Sequence, residues 1–292
     1  MIMENLTHIY EIIDNHRIVF NSNATDSDVL QLFETWQEND DRPEISVIDM
    51  SRCSIAELKQ PEKFVSKFKS LIANSFENLV EFIAPNNLQK IGRGYFSGCE
   101  KLQFVRLCPT SNSMKEIGEE AFLNCDSLKK VILPESLIKI GNAAFKGCDS
   151  LEFVELPSNI EELGEDSFAG SEKIILLDLS RCMKIKDLKI RVSAKQVYLP
   201  ACLETFEGTG KVEDLWVPPM LNRINYKSTI RTNIWCFSNR LKSLNQIESY
   251  CTLCVPHSLA DRYLKIRDAE GRGAKIFDFG EDGHKTQDYF WI

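Results

Sequence analysis

Ten cysteines and four histidines are the residues of this chain best suited to nucleophilic, redox or metal chemistry. Cys251-x-x-Cys254 has the spacing of half a zinc or redox site, yet no second Cys-x-x-Cys or histidine pair completes four ligands. On a strand, side chains three apart point to opposite faces, so the pair reads as structural. Cys99, Cys125 and Cys148 recur at regular intervals, and Ser171 takes the next place. On rungs about 4.8 Å apart such thiols fall within disulfide range. Three thiols followed by a serine read instead as small, reduced packing residues. Of His8, His16, His257 and His284 only the first two are close in sequence, and none stands in a catalytic motif. There is no phosphate-binding glycine loop, no Gly-x-Ser-x-Gly and no His-Glu-x-x-His. The reading is a non-enzymatic chain without catalytic residues, metal site or cofactor. An enzyme built on residues 1–70, around Cys53 or the histidines, is the alternative from another class.

The thiols belong to a repeat. Ile91, Ile117, Ile140 and Leu163 each open a segment of one pattern, seen most clearly in IGEEAFLNCDSLKKVIL and IGNAAFKGCDSLEFVEL. Phe96, Phe122, Phe145 and Phe168 lie 26, 23 and 23 residues apart, and Leu102, Leu128, Leu151 and Ile174 keep the same intervals. Each unit closes on Leu-x-x-Val-x-Leu, whose last two positions alternate as the inward face of a strand requires. Pro109, Pro134 and Pro157 follow, and proline cannot donate to a ladder. The Ala-Phe stretch predicts a single helical turn or a tight corner that drops one ring into the core. One unit cannot bury its own apolar side chains; stacked units bury columns of them. Val197-Tyr-Leu-Pro200 and Leu215-Trp-Val-Pro218 read as strands of shorter repeats without the Ala-Phe corner, and Leu253-Cys-Val-Pro256 as the last rung.

The string Ile-Gly-x-x-Ala-Phe-x-Gly-Cys-x-Ser-Leu-x-x-Val-x-Leu-Pro, from Ile140 to Pro157, resembles the BspA-type leucine-rich repeat family. Cys251-Thr-Leu-Cys-Val-Pro-His-Ser-Leu-Ala-Asp-Arg-Tyr263 resembles that family's capping segment, in which a final strand passes into a helix with the tyrosine beneath it. The resemblance is close over 71–180 and 251–266, loose over 181–250 and absent over 1–44. It implies an α/β repeat: a curved right-handed leucine-rich-repeat solenoid, with a parallel sheet on one face and short helical turns or loops on the other. It implies binding or adhesion, often at a cell surface, and brings no catalytic residue. The expected organisation is an N-terminal cap over 1-44, the solenoid over 45-256 and a C-terminal cap over 257-292.

The cap at 1-44 reads as a hairpin about Asp14–Arg17 and a helix with Val29, Leu32, Phe33 and Trp36 on one face; a small independent domain is its alternative. A second helix is expected near Glu62–Leu71, a third over Ser258–Asp268 and a closing strand over Lys275–Phe279. The net charge of −8 resides wholly in residues 1–41, where nine acids face Arg17. Residues 181–195 carry Arg181, Lys184, Lys186, Lys189, Arg191 and Lys195 against Asp187, either a solvated face or a patch for a polyanion. No nucleic-acid motif accompanies them. No apolar run reaches the roughly 18–20 residues of a membrane span, and the N-terminus lacks the charged start and apolar core of a signal peptide. The expected location is cytoplasmic, or the cell surface should a leader have been removed.

If the Leu-x-x-Val-x-Leu positions point inward, two columns point out. One reads Val47, Glu81, Phe104, Lys130, Phe153, Leu176, Gln196, Asp214; the other reads Asp49, Ile83, Arg106, Ile132, Glu155, Asp178, Tyr198, Trp216. A one-residue slip would exchange the faces. Contiguous large apolar side chains facing solvent suggest an interface, and aromatics and arginine are enriched at binding hot spots; β-propensity alone would also place them on a strand. The candidate binding residues are Phe104, Arg106, Lys130, Ile132, Phe153, Glu155, Leu176, Asp178, Tyr198 and Trp216. The expected function is binding of a protein partner. Recognition of a carbohydrate or cell envelope, with Tyr198 and Trp216 stacking on sugar, is the alternative.

Overall fold

The computed structural model describes residues 8–38, 43–61, 70–107, 113–271 and 274–279. They belong to two compact units, Met1–Glu152 with Glu162–Glu172, and Phe153–Glu161 with Lys173–Ile292.

The first unit opens with the expected hairpin, β1 (Tyr10–Ile13) and β2 (Arg17–Phe20), turned through Asp14 and Asn15 at positive φ, a conformation that Asp and Asn tolerate best after glycine. Next comes α1 (Asp26–Gln37). Its start is fixed by a capping box between Thr25 and Asp28, and it buries Val29, Leu32, Phe33 and Trp36. Then follow β3 (Val47–Asp49), β4 (Glu57–Leu58), α2 (Leu71–Ser75), β5 (Glu81–Ile83), β6 (Lys90–Ile91), β7 (Phe104–Arg106), β8 (Glu116–Ile117), β9 (Lys130–Val131) and β10 (Lys139–Ile140). The chain enters the second unit for β11 (Phe153–Glu155) and returns for β12 (Glu162–Leu163). The helix expected near Glu62–Leu71 falls on 62–69, outside the described residues; α2 begins at Leu71.

Two parallel sheets carry the repeats of this unit. One runs β1-β2-β3-β5-β7-β9 and is antiparallel only at the hairpin, so the N-terminal segment extends the repeat sheet directly. The other, β4-β6-β8-β10-β12, is built of two-residue strands. Its outward residues Glu57, Lys90, Glu116, Lys139 and Glu162 alternate in sign. Lys90 pairs with Glu57 at 3.8 Å and Glu116 at 3.2 Å, and Lys139 with Glu162 at 2.7 Å.

Between the sheets Phe96, Phe122, Phe145 and Phe168 stack with centroids 5.1, 5.2 and 5.5 Å apart and rings within 6° of parallel. The Ala-Phe corner is a run of turns rather than a helical turn. Each corner needs residues at positive φ: Gly94, Glu120 and Ala143 at one position, Gly98, Asn124, Gly147 and Gly170 at the other. The glycine after the repeated isoleucine has another cause. A Cβ on Gly141 would stand 2.5 Å from the Glu119 backbone nitrogen of the preceding rung. The rungs approach too closely there for any side chain.

The second unit continues with β13 (Ile174–Asp178), β14 (Asp187–Tyr198), β15 (Thr205–Val217), β16 (Arg223–Ser228), β17 (Asn233–Cys236), β18 (Thr252–Val255), α3 (His257–Glu270) and β19 (Lys275–Asp278). Its sheet runs β11-β13-β14-β15-β17-β18-β19, with β16 on β15, and is parallel throughout. The shorter repeats are those expected at 197–200 and 215–218, and the strand takes the place of the missing corner: β14 and β15 run on for 12 and 13 residues. The rung at Leu253–Pro256 is followed by one more strand, β19. As the capping resemblance implies, Tyr263 of α3 is fully buried, its hydroxyl donating to the Ser238 carbonyl.

Candidate binding surface

Strand alternation puts the Leu and Val of each repeat inside and leaves two columns on the other side, which the register aligns within each unit as far as the strands run; Asp49, on one of them, is buried, and Ile132 lies beyond the paired residues. In the first, Val47, Glu81, Phe104 and Lys130 are successive partners, as are Asp49, Ile83 and Arg106. In the second, Phe153, Leu176, Gln196 and Asp214 align, as do Glu155, Asp178, Tyr198 and Trp216. The columns run further than expected: Asn233 continues one and Trp235 the other.

On the first unit Phe104 is 44 % exposed and Ile132, just past β9, 55 %. Arg106 and Lys130 beside them are exposed too. Arg106 donates to Glu81 of the neighbouring strand, and Lys129 holds its ammonium 6.0 Å from the Phe104 ring. That cation lies at the outer limit of a useful cation–π contact. On the second unit Phe153 is 57 % exposed. Glu155 is exposed and takes a hydrogen bond from Arg181 at 3.2 Å, while Leu176 and Asp178 are half-buried.

Tyr198 and Trp216 depart from expectation. They stand on the outward column, yet only 7 % and 6 % of their surfaces are exposed. Their rings stack at 5.5 Å, and Trp216 stacks in turn on Trp235 at 5.0 Å and on Phe237 at 6.2 Å. Rungs in register bring equivalent rings to the strand spacing, so neighbours cover one another's faces. Burial raises the Tyr198 hydroxyl pKa, helped by the charges of Asp178 and Asp214. Asp214 accepts from the Trp235 indole at 2.9 Å and from the Asn233 amide at 3.0 Å, fixing the ladder from one side. The two rings are therefore structural, not solvent-facing, and the double change Tyr198→Ser/Trp216→Ser would disturb the fold as well as the surface.

The repeated cysteines are engaged in packing, whereas His8, His16 and His257 are exposed. Cys125 and Cys148 each donate to the carbonyl of the preceding rung's phenylalanine at 3.2 Å, and the Ser171 hydroxyl makes the same bond at 2.8 Å. The position asks for a small buried donor. Burial raises the pKa of the Cys125 and Cys148 thiols, pushes Cys53 up to about 12, and pushes Cys251 and Cys254 up to about 11. Thiols of that kind hold almost no thiolate at neutral pH. His284 lies outside the described residues. Among the described residues no three His, Cys, Asp or Glu side chains converge on a metal position, and no helix is long and apolar enough to cross a membrane. The basic stretch is met by acids: Arg181 by Glu155, Lys184 by Glu161, Lys186 by Glu204 and Lys189 by Glu207. That favours a solvated face over a polyanion site.

Residues 68–187 match the BspA type leucine rich repeat region in six copies. The match ends short of the capping resemblance at Cys251–Tyr263. Among solved structures, the chain is similar to a leucine rich repeat protein of T. pallidum at 20 % identity, over 68 % of this chain and 82 % of that one, with a TM-score of 0.45. It is similar to a leucine-rich repeat protein from Bacteroides ovatus at 20 % identity, over 78 % and 67 %, with a TM-score of 0.40. It is also similar to the pneumococcal vaccine antigen PcpA at 15 % identity, over 80 % and 74 %, with a TM-score of 0.39. No curated protein matches the chain.

Proposed function

We propose that this chain is a non-enzymatic binding module that takes a protein partner on the outer face of its repeat sheets. The observation that carries the reading is the exposure of Phe104 on the sheet of the first unit and of Ile132 just past it, large apolar side chains beside Arg106 and Lys130. Nothing in the folding of that unit calls for them, since the opposite side of the same strands supplies the core. Exposed apolar surface rimmed by charge is the chemistry of an interface. The arginine and lysine set orientation and encounter rate more than affinity. Phe153, Glu155, Leu176 and Asp178 present a similar mixture on the second unit and are assigned the same role.

The carbohydrate reading depended on Tyr198 and Trp216 stacking on sugar, and both rings are buried. The test is capture of partners by the wild-type chain and by Phe104→Ser/Ile132→Ser. The variant is expected to keep its stability within about 0.5 kcal/mol, as surface changes do, and to lose the partner. Equal capture by both chains would remove this face from the proposal.

A further inference from the structure

The repeat sheet of the first unit ends on β1, and its backbone there is only half used. Among the described residues β1 pairs with β2 alone, at the end of the order β1-β2-β3-β5-β7-β9. The Asn21 N–H donates to the Ile9 carbonyl at 2.9 Å, so the Ile9 backbone faces β2. Antiparallel alternation turns Glu11 and Ile13 the same way and directs the N–H and C=O of Tyr10 and Ile12 outward. Four backbone groups in one row are a template for a further strand.

The side chains do little to blunt this edge. Proteins commonly guard an edge strand with lysine, proline or a bulge. β1 reads Tyr-Glu-Ile-Ile and pairs residue for residue with β2. Ile12 and Ile13 are 39 % and 40 % exposed, and neighbours on a strand point to opposite faces, so apolar surface flanks the edge above and below. The charge at this end has one sign. Up to residue 61 the described residues hold nine acids against Arg17, Arg52 and Lys59. Glu11 lies on β1 itself and pairs with Arg52 at 3.2 Å. Asp14, in the turn that follows, is exposed and has no cation partner among the described residues. A second copy of this chain would bring the same acidic end against itself, whereas a basic strand is drawn to it.

We propose that β1 is a docking edge for an extended basic segment of a partner protein, which joins the sheet as a further strand through hydrogen bonds to Tyr10 and Ile12. The segment places apolar side chains beside Ile12 and Ile13 and a lysine or arginine beside Glu11 and Asp14. Backbone pairing supplies affinity and the alternate side chains supply selectivity. This edge is separate from the Phe104/Ile132 face proposed above, and neither depends on the other.

The test uses the full chain and an end-blocked fluorescent peptide, Lys-Val-Val-Lys-Val-Val-Lys, which reads the same in either strand direction. Anisotropy should show binding to wild type and to Phe104→Ser/Ile132→Ser, weakening as salt rises, and none by the peptide with glutamate in place of lysine. Ile12→Pro removes an outward N–H while sparing the bonds to β2, the one place a strand accepts proline. It should weaken binding by about tenfold or more, as expected when a peptide carbonyl loses its donor. Glu11→Gln/Asp14→Asn should weaken binding and flatten the salt dependence. Hydrogen exchange on the wild-type chain gives a readout free of any substitution. The Tyr10 and Ile12 amides should exchange fast alone and slow severalfold with the peptide, while Glu11 and Ile13 change little. Absence of peptide binding, or equal binding by Ile12→Pro, overturns the proposal. So does protection of the Tyr10 and Ile12 amides in the free monomer, because the chain then covers its own edge. A dimer in sedimentation that Ile12→Pro dissociates would give the edge to a second copy and sink it too.

Discussion

The two units stack aromatic rings on opposite sides of their sheets. In the first, Phe96, Phe122, Phe145 and Phe168 form a ladder inside, with rings 5.1 to 5.5 Å apart. In the second, Tyr198, Trp216 and Trp235 form a ladder outside, at 5.5 and 5.0 Å. One cause serves both: parallel strands in register bring equivalent residues to nearly the distance at which flat rings stack. The difference lies in what each rung has spare. A repeat of 23 residues has a corner that can drop a ring inward, whereas β14 and β15 spend their shorter rungs on continuous strand. The inside ladder leaves the outer face free to display Phe104 and Ile132. The outside ladder uses up that face around Tyr198 and Trp216, and leaves Phe153 exposed beyond it.

The sharpest break in the comparison is at the inner ladder. Phe122→Ala removes a fully buried ring stacked on both sides, and should cost about 3–5 kcal/mol. Phe104→Ala, on the outer face of the same unit, should stay within about 0.5 kcal/mol. Urea denaturation of both variants checks the contrast. Similar losses would mean that the outer face is part of the core and would undermine the binding reading with it.

Close approach of rungs comes next. Gly141→Ala would put a Cβ 2.5 Å from the Glu119 backbone, and overpacking of this kind costs about 1–3 kcal/mol. Gly210→Ala in β15 should cost more. There the new Cβ would lie 1.8 Å from the Val192 carbonyl oxygen, at a φ of +140° that alanine resists. Reversal of that order, measured as the shift in thermal midpoint, would show that the tight corners rather than the long strands limit rung spacing.

How far the sequence foretold this follows from what periodicity can carry. The outward columns were legible because alternation has a period of two and the repeat fixes its phase, so Glu81, Phe104 and Lys130 align from their spacing alone. The sheet of β4, β6, β8, β10 and β12 was not, since two residues make no period. Its trace was the alternating Glu57, Lys90, Glu116, Lys139 and Glu162 ahead of the apolar step. At Tyr198 and Trp216 alternation gave the right side of the sheet but not its exposure, because a strand pattern knows nothing of the rings on neighbouring rungs. The repeated cysteine could be read only as small and weakly polar; its hydrogen bond to the preceding rung is a property of the stack.

That hydrogen bond gives the next test. Ser171→Ala strips the Phe145 carbonyl of its hydroxyl donor and the Cys148 N–H of its acceptor. Leaving buried polar groups unpaired costs about 1–3 kcal/mol. Ser171→Cys, which restores the group found on the other rungs, should recover most of the loss. If alanine and cysteine are equally tolerated in chemical denaturation, the column is only a matter of volume.

The smallest effect should come at the corner's other special position, and its sign is informative. Ala143 has a φ of +53°, Glu120 +57° and Gly94 +61°, so one backbone geometry is held by three residue types. An L side chain in this region costs roughly 1–2 kcal/mol, whereas the extra freedom glycine adds to the unfolded chain costs about 0.4–1 kcal/mol. Ala143→Gly should therefore stabilise the chain slightly, by a few tenths to about 1 kcal/mol, seen as a small rise in urea midpoint with unchanged slope. Ala143 is itself buried, and its methyl group's packing opposes the gain. A loss of stability would mean that this packing outweighs the strain, and that the corner, like the inner ladder, is held by burial rather than by backbone preference.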